Sequence, residues 1–173
     1  SAFTGVDLYE KGANLFTDKT GSLRPFYLVN GKPLSSLKEL ADLETFTGDG
    51  EQLQAFEAEF GVPDATGRPQ ILFNRRTGAI DPAVVKTWMP YDLGSFIQQN
   101  WPKLEKKLSG KIHVFAGGAD NFFLSKAVEA FSAKAKSVKA ALVAEIIPGA
   151  DHWSIWSAEF TRRVQKEIDE RIK

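Results

Sequence analysis

The 173-residue chain contains no cysteine, which removes disulfides, thiolate metal sites and a cysteine nucleophile together. Histidine is nearly as scarce, with two copies, and net charge is absent because 22 basic residues balance 22 acidic ones. With no His-x-x-x-His pair and no paired Asp-x-Asp loop, neither a metal nor another cofactor is expected. A balanced charge supplies no field to attract nucleic acid, so none is expected as a partner. No apolar run approaches the ~20 residues of a membrane span, and no membrane association is expected. Ser1-Ala2-Phe3-Thr4-Gly5 lacks the basic region and apolar core of a signal peptide. The missing initiator Met leads us to expect a preceding segment, and the compartment stays open.

What is present divides into two regimes. Residues 1–90 are rich in turn formers: Asp18-Lys19-Thr20-Gly21, Asn30-Gly31-Lys32-Pro33, Gly48-Asp49-Gly50, Pro63-Asp64-Ala65-Thr66-Gly67 and Arg76-Thr77-Gly78. Between them we expect a strand at Phe26–Val29, a helix over Gly50–Phe60 and a buried extended piece at Ile71–Phe73. This part reads as an irregular, insertion-like or lid-like region. Residues 91–173 read as the α/β part. Just ahead of that boundary, Asp81-Pro82 places an N-cap and an N1 proline before a short helix, Ala83–Trp88. Asp92 caps a second helix with Leu93, Phe96, Ile97, Trp101, Leu104 and Leu108 at the 3.6-residue period.

A strand at Ile112–Ala116, a helix over Leu124–Lys136 with Ala127, Val128 and Phe131 inward, a strand at Leu142–Ile147 and a final helix from Ser157 to Ile172 complete the chain. Phe160, Val164, Ile168 and Ile172 share one face of that last helix. The alternation implies parallel strands joined by a right-handed crossover. Two parallel strands do not form a stable sheet alone, so an upstream segment or another chain is expected to complete it.

Both strands run into polar loops at their C-terminal ends, Gly117-Gly118-Ala119-Asp120 and Pro148-Gly149-Ala150-Asp151-His152. That edge of an open α/β sheet is where ligands collect. One helix and one strand separate Asp120 from His152, which delivers both to the same rim. An acid followed by a histidine suits the later half of a Ser-Asp-His triad, in which the acid holds the histidine's Nδ1–H. Asp120 could instead cap the following helix, and His152 could be an ordinary loop residue among Trp153 and Trp156. Asp151 is a poorer acid, because a sequence neighbour usually points away from the ring. His113, inside a strand, reads as structural, and Arg75-Arg76 and Arg162-Arg163 read as solvated pairs. The four tryptophans read as core or lid packing. The Gly-x-Ser-x-Gly elbow that should precede the acid is absent. Leu93-Gly94-Ser95-Phe96 comes nearest and falls within an expected helix.

Thr66-Gly67-Arg68-Pro69, Arg76-Thr77-Gly78-Ala79-Ile80-Asp81, Trp88-Met89-Pro90-Tyr91-Asp92-Leu93, Asn100-Trp101, Lys111–Leu124 and Pro148-Gly149-Ala150-Asp151-His152-Trp153 together resemble the C-terminal half of a bacterial esterase family of α/β-hydrolases. The resemblance implies the last two parallel strands of that fold, with Asp120 and His152 as triad acid and histidine. It also implies that the serine, its elbow and the oxyanion donors lie upstream, so that this polypeptide is inactive alone and the full protein cleaves a small carboxylic ester. A different class of reading is a non-catalytic interaction module that pairs through its exposed strand edge, with a partner or as a homo-oligomer.

Overall fold

The computed structural model describes residues 6–48 and 51–172. The expected helix start at Gly50, Asp49 in its turn, the segment Ser1–Gly5 and the side chain of Ile172 lie outside the described residues. The chain is a mixed α/β protein whose strands form two separate two-stranded sheets among the described residues.

The first sheet is a hairpin of β1, Pro25–Val29, and β2, Lys32–Ser36. Asn30 and Gly31 join them with φ of 50° and 72°, the two positive angles that a tight hairpin turn of right-handed twist requires. Only the first of these strands was expected. Pro33 obscures the second, because proline enters a strand only where no ladder N–H is needed. Helix α1, Leu37–Thr47, follows directly and is also additional to the expected elements. Its signal is present in Ser36-Leu37-Lys38-Glu39: the Ser36 hydroxyl accepts the Glu39 N–H while the Glu39 carboxylate accepts the Ser36 N–H.

Helix α2, Glu51–Phe60, is capped from a distance, since the buried Glu44 of α1 accepts the N–H groups of Gln52 and Leu53. Helix α3, Pro82–Trp88, starts as expected, with Asp81 accepting the Ala83 N–H at 2.8 Å. Between α2 and α3 the chain makes loops, yet this stretch gives Leu72 and Phe73 to the core. Leu15, Leu53, Leu72 and Phe73 are the largest fully buried side chains, and they gather with Phe16, Leu37, Val84, Val85 and Trp88. Ile71 is exposed, a correction to the buried piece expected at Ile71–Phe73. Arg75 is a second correction, because it is ion-paired to the buried carboxylate of Glu57 rather than solvated.

The second half opens with α4, Leu93–Leu108, capped by Asp92. Strand β3, His113–Gly117, leads through α5, Leu124–Ser137, to β4, Val143–Ile147, and α6, Ala158–Ile172, ends the chain. The two strands pair in parallel, His113 against Val143 through Gly117 against Ile147. Alternation along β3 sends its residues to opposite faces. Phe115 meets Phe160 of α6 at 5.2 Å, and His113 bonds Glu167 of the same helix. On the other face Val114 lines a cavity shared with Val128 and Phe131 of α5. Helices α4 and α5 close around Ile97, Trp101 and Ala135. Several residues expected inward are exposed, namely Leu93, Phe96, Ala127 and Ile168. A sheet of two strands is too narrow to cover every apolar stripe laid against it.

Candidate active site

The site is assembled where β3 and β4 end. Gly117 has a backbone conformation open to any residue, and its need for glycine is one of space. A Cβ there would stand 2.3 Å from the Ala150 carbonyl oxygen and 2.9 Å from that of Asp151. The loop after β4 therefore rests on the end of β3 only because Gly117 has no side chain. Two backbone bonds fix that closure, Gly118 N–H to Ile147 O at 2.8 Å and Ala119 N–H to Ala150 O at 2.9 Å.

Asp120 follows and is 6% exposed. Its two oxygens divide the work. Oδ1 accepts the Phe122 N–H at 2.8 Å and the Leu124 N–H at 3.1 Å, and Oδ2 lies 2.9 Å from Nδ1 of His152. The helix cap and the contact with the histidine, alternatives in the sequence, are made by one residue through different atoms. Phe123, held between the two capped amides, takes φ of 62°, a left-handed conformation costly for a bulky side chain.

Asp120 already accepts two backbone N–H groups, and an ionised carboxylate has only acceptor sites. Nδ1 is therefore the donor toward Oδ2, and in a neutral imidazole Nε2 is then the nitrogen that accepts a proton. Among the described residues no protein group bonds Nε2, and the His152 side chain is 31% exposed. Phe122 and Trp153 flank the ring edge-on at 4.8 Å and 4.9 Å. Trp153 and Trp156 are 64% and 70% exposed, unlike the buried Trp88 and Trp101; Trp153 borders the His152 ring, whereas Trp156 packs on Phe160 of α6.

Asp151 is turned into its own loop. It accepts the N–H groups of Trp153 and Ser154 at 2.9 Å and 2.7 Å, and the Ser154 contacts hold its carboxyl below the usual range. His113 lies on the α6 face with Nδ1 2.6 Å from Glu167 and Nε2 3.4 Å from the Gly110 carbonyl, so both nitrogens are engaged. That hydrogen bond, ahead of Arg163, lowers the Glu167 carboxyl. Ser95 bonds Asp92 and Lys134 at 2.7 Å each, away from His152. No group of three His, Asp or Glu among the described residues could hold a metal ion.

The residue the sequence reading missed is Asn121. Its side-chain oxygen accepts the His152 backbone N–H at 3.2 Å. Its position immediately after the acid was the available signal. An apolar cavity of about 800 Å³, lined by Tyr9, Phe60, Trp88, Tyr91, Val114 and Phe131 among others, lies beside β3 and does not reach His152. Compared with known protein families, curated proteins and solved structures, the chain matches none.

Proposed function

We propose that this chain is the C-terminal part of a serine carboxylic-ester hydrolase of the α/β-hydrolase type, with Asp120 as orienting acid and His152 as general base. The observation that carries the reading is the Asp120–His152 pair at 2.9 Å, with its acid buried and the ring's other nitrogen free to accept a proton. A segment outside this chain supplies the serine and the oxyanion donors. Nε2 takes the serine proton as the hydroxyl attacks the ester carbonyl, Asp120 stabilises the resulting imidazolium, and the histidine returns the proton to the leaving alcohol. Water then cleaves the acyl-enzyme by the same route. The exposed Trp153 and the β1–β2 hairpin border the place where a small ester sits.

The sheet supports a missing segment. Parallel strands are ordinarily covered on both faces and both sides, whereas β3 pairs only with β4 among the described residues and its Val114 face opens on the cavity. The same open edges favour the second reading, an interaction module, whose mark is association of this chain with itself or a partner through those strands. A polypeptide extended to include the upstream segment is expected to hydrolyse a small aryl ester, and His152→Ala to abolish that turnover. Intact turnover in the His152→Ala variant sinks the assignment.

A further inference from the structure

We propose that Asn121 is a positioning residue that fixes His152 and ties it to the β1–β2 hairpin, an inference that rests on the esterase reading for the role of the histidine. The hydrogen bonds from the hairpin to the site run through Leu28. Its register partner in β2 is Pro33, which has no N–H to donate. Leu28 instead turns both of its peptide groups to Asn121: its N–H donates to the Asn121 carbonyl at 3.0 Å, and its own carbonyl accepts from Asn121 Nδ2 at 2.7 Å. Asn121 Oδ1 then accepts the backbone N–H of His152 at 3.2 Å.

This arrangement admits one orientation of the amide. Flipped, the side chain would set an N–H against the His152 N–H and an oxygen against the Leu28 carbonyl. It also specifies the residue type. Aspartate has no proton for Leu28, and glutamine carries an extra methylene between the backbone contact and the amide. Asp120 constrains the His152 ring through Nδ1 while Asn121 constrains its main chain, so the histidine is held at two points by consecutive residues. A second path runs parallel through packed rings, Tyr27 on Phe122 at 4.8 Å and Phe122 on His152 at 4.8 Å. Displacing the hairpin thus moves the general base.

With His113 as the only other imidazole, ring nitrogens can be followed individually by proton–nitrogen correlation spectroscopy of this chain. The expected result is a single His152 tautomer, protonated at Nδ1, that is lost in Asn121→Ala while the His113 signals stay unchanged and report that the fold persists. An unchanged His152 signature in folded Asn121→Ala overturns the proposal. A measurement on the unaltered chain decides the matter if that variant does not fold. The His152 backbone amide should exchange roughly tenfold or more slowly than a free peptide, and exchange at the free rate overturns it equally. Neither readout requires hydrolysis. An inactive longer polypeptide that keeps the tautomer response contradicts the esterase reading and leaves the role of Asn121 standing.

Discussion

Glu57 is a carboxylate taken almost wholly out of water, and every bond it makes binds loop to helix. It accepts the Leu72 N–H at 2.7 Å and a bidentate pair of donors from Arg75, whose guanidinium also lies over the Phe73 ring at 4.1 Å. Removing one partner of a buried pair leaves an uncompensated charge, which costs about 3–5 kcal/mol. Arg75→Ala is therefore expected to lower unfolding stability by that order in urea titrations, and a loss below about 1 kcal/mol would show that water replaces the guanidinium. A dipeptide of arginines gives no hint of this, since the sequence does not reveal which of Arg75 and Arg76 meets a buried acid. Asp120 is likewise a buried carboxylate with its oxygens engaged, by two capped amides and one imidazole.

At the scale of elements, one junction shapes the site within the second half and another joins the two halves. The first is the crossing of the β4 loop over Gly117. Gly117→Ala places a methyl against backbone carbonyls that cannot step aside as a flexible side chain can. We expect about 1–3 kcal/mol of destabilisation together with loss of the His152 tautomer signature. A variant of unchanged stability and signature contradicts this account of the loop. The second junction is the start of α4, where Asp92 accepts from Ser95, Lys134 and Tyr9. Burial pushes the Asp92 carboxyl up, but the Ser95 and Lys134 donors outweigh it and hold the group at about 2. Burial, aided by the Asp92 charge, pushes the Tyr9 phenol to about 12.

The signs follow from linkage. A depressed carboxyl contributes stability above its unfolded value of 3.8, lost as pH falls toward about 2. A raised phenol contributes below its unfolded value of 10.0, lost as pH climbs toward about 12. Asp92→Asn should flatten the acid limb of the stability profile over the first window, and an acid limb as steep as in the unaltered chain rules out this junction as its source. These caps were legible where they were local: Asp81-Pro82 and Asp92 announced α3 and α4, and the strand ends announced the rim. Ser36-Leu37-Lys38-Glu39 was equally readable and marks the start of α1. The cap of α2 was not readable, because Glu44 belongs to another helix.

Over the whole molecule, the half with the least regular structure holds the most completely buried core, and the half with alternating strands and helices leaves apolar faces open. Leu15, Leu72 and Phe73 come from loops, so no period of 2 or 3.6 residues reveals them; their burial depends on partners far along the chain. The opposite holds for β3 and β4, whose apolar runs end at glycine and proline and could be placed to within a residue. What those runs could not disclose is the two-point hold on His152, since Asn121 works through a proline-disrupted hairpin about ninety residues away. The open faces around Val114 and Leu93 and the strand edges left unpaired among the described residues are accounted for together if, as proposed, further strands complete the sheet and bring a nucleophile to the rim of Asp120 and His152.

Covalent labelling by a fluorophosphonate tests that claim most directly, because the reagent captures only a serine activated by a neighbouring base. In a polypeptide carrying the upstream segment, the account predicts rapid labelling of one serine in that segment and loss of labelling in a folded His152→Ala variant. Labelling that proceeds at the same rate without the His152 imidazole would contradict it.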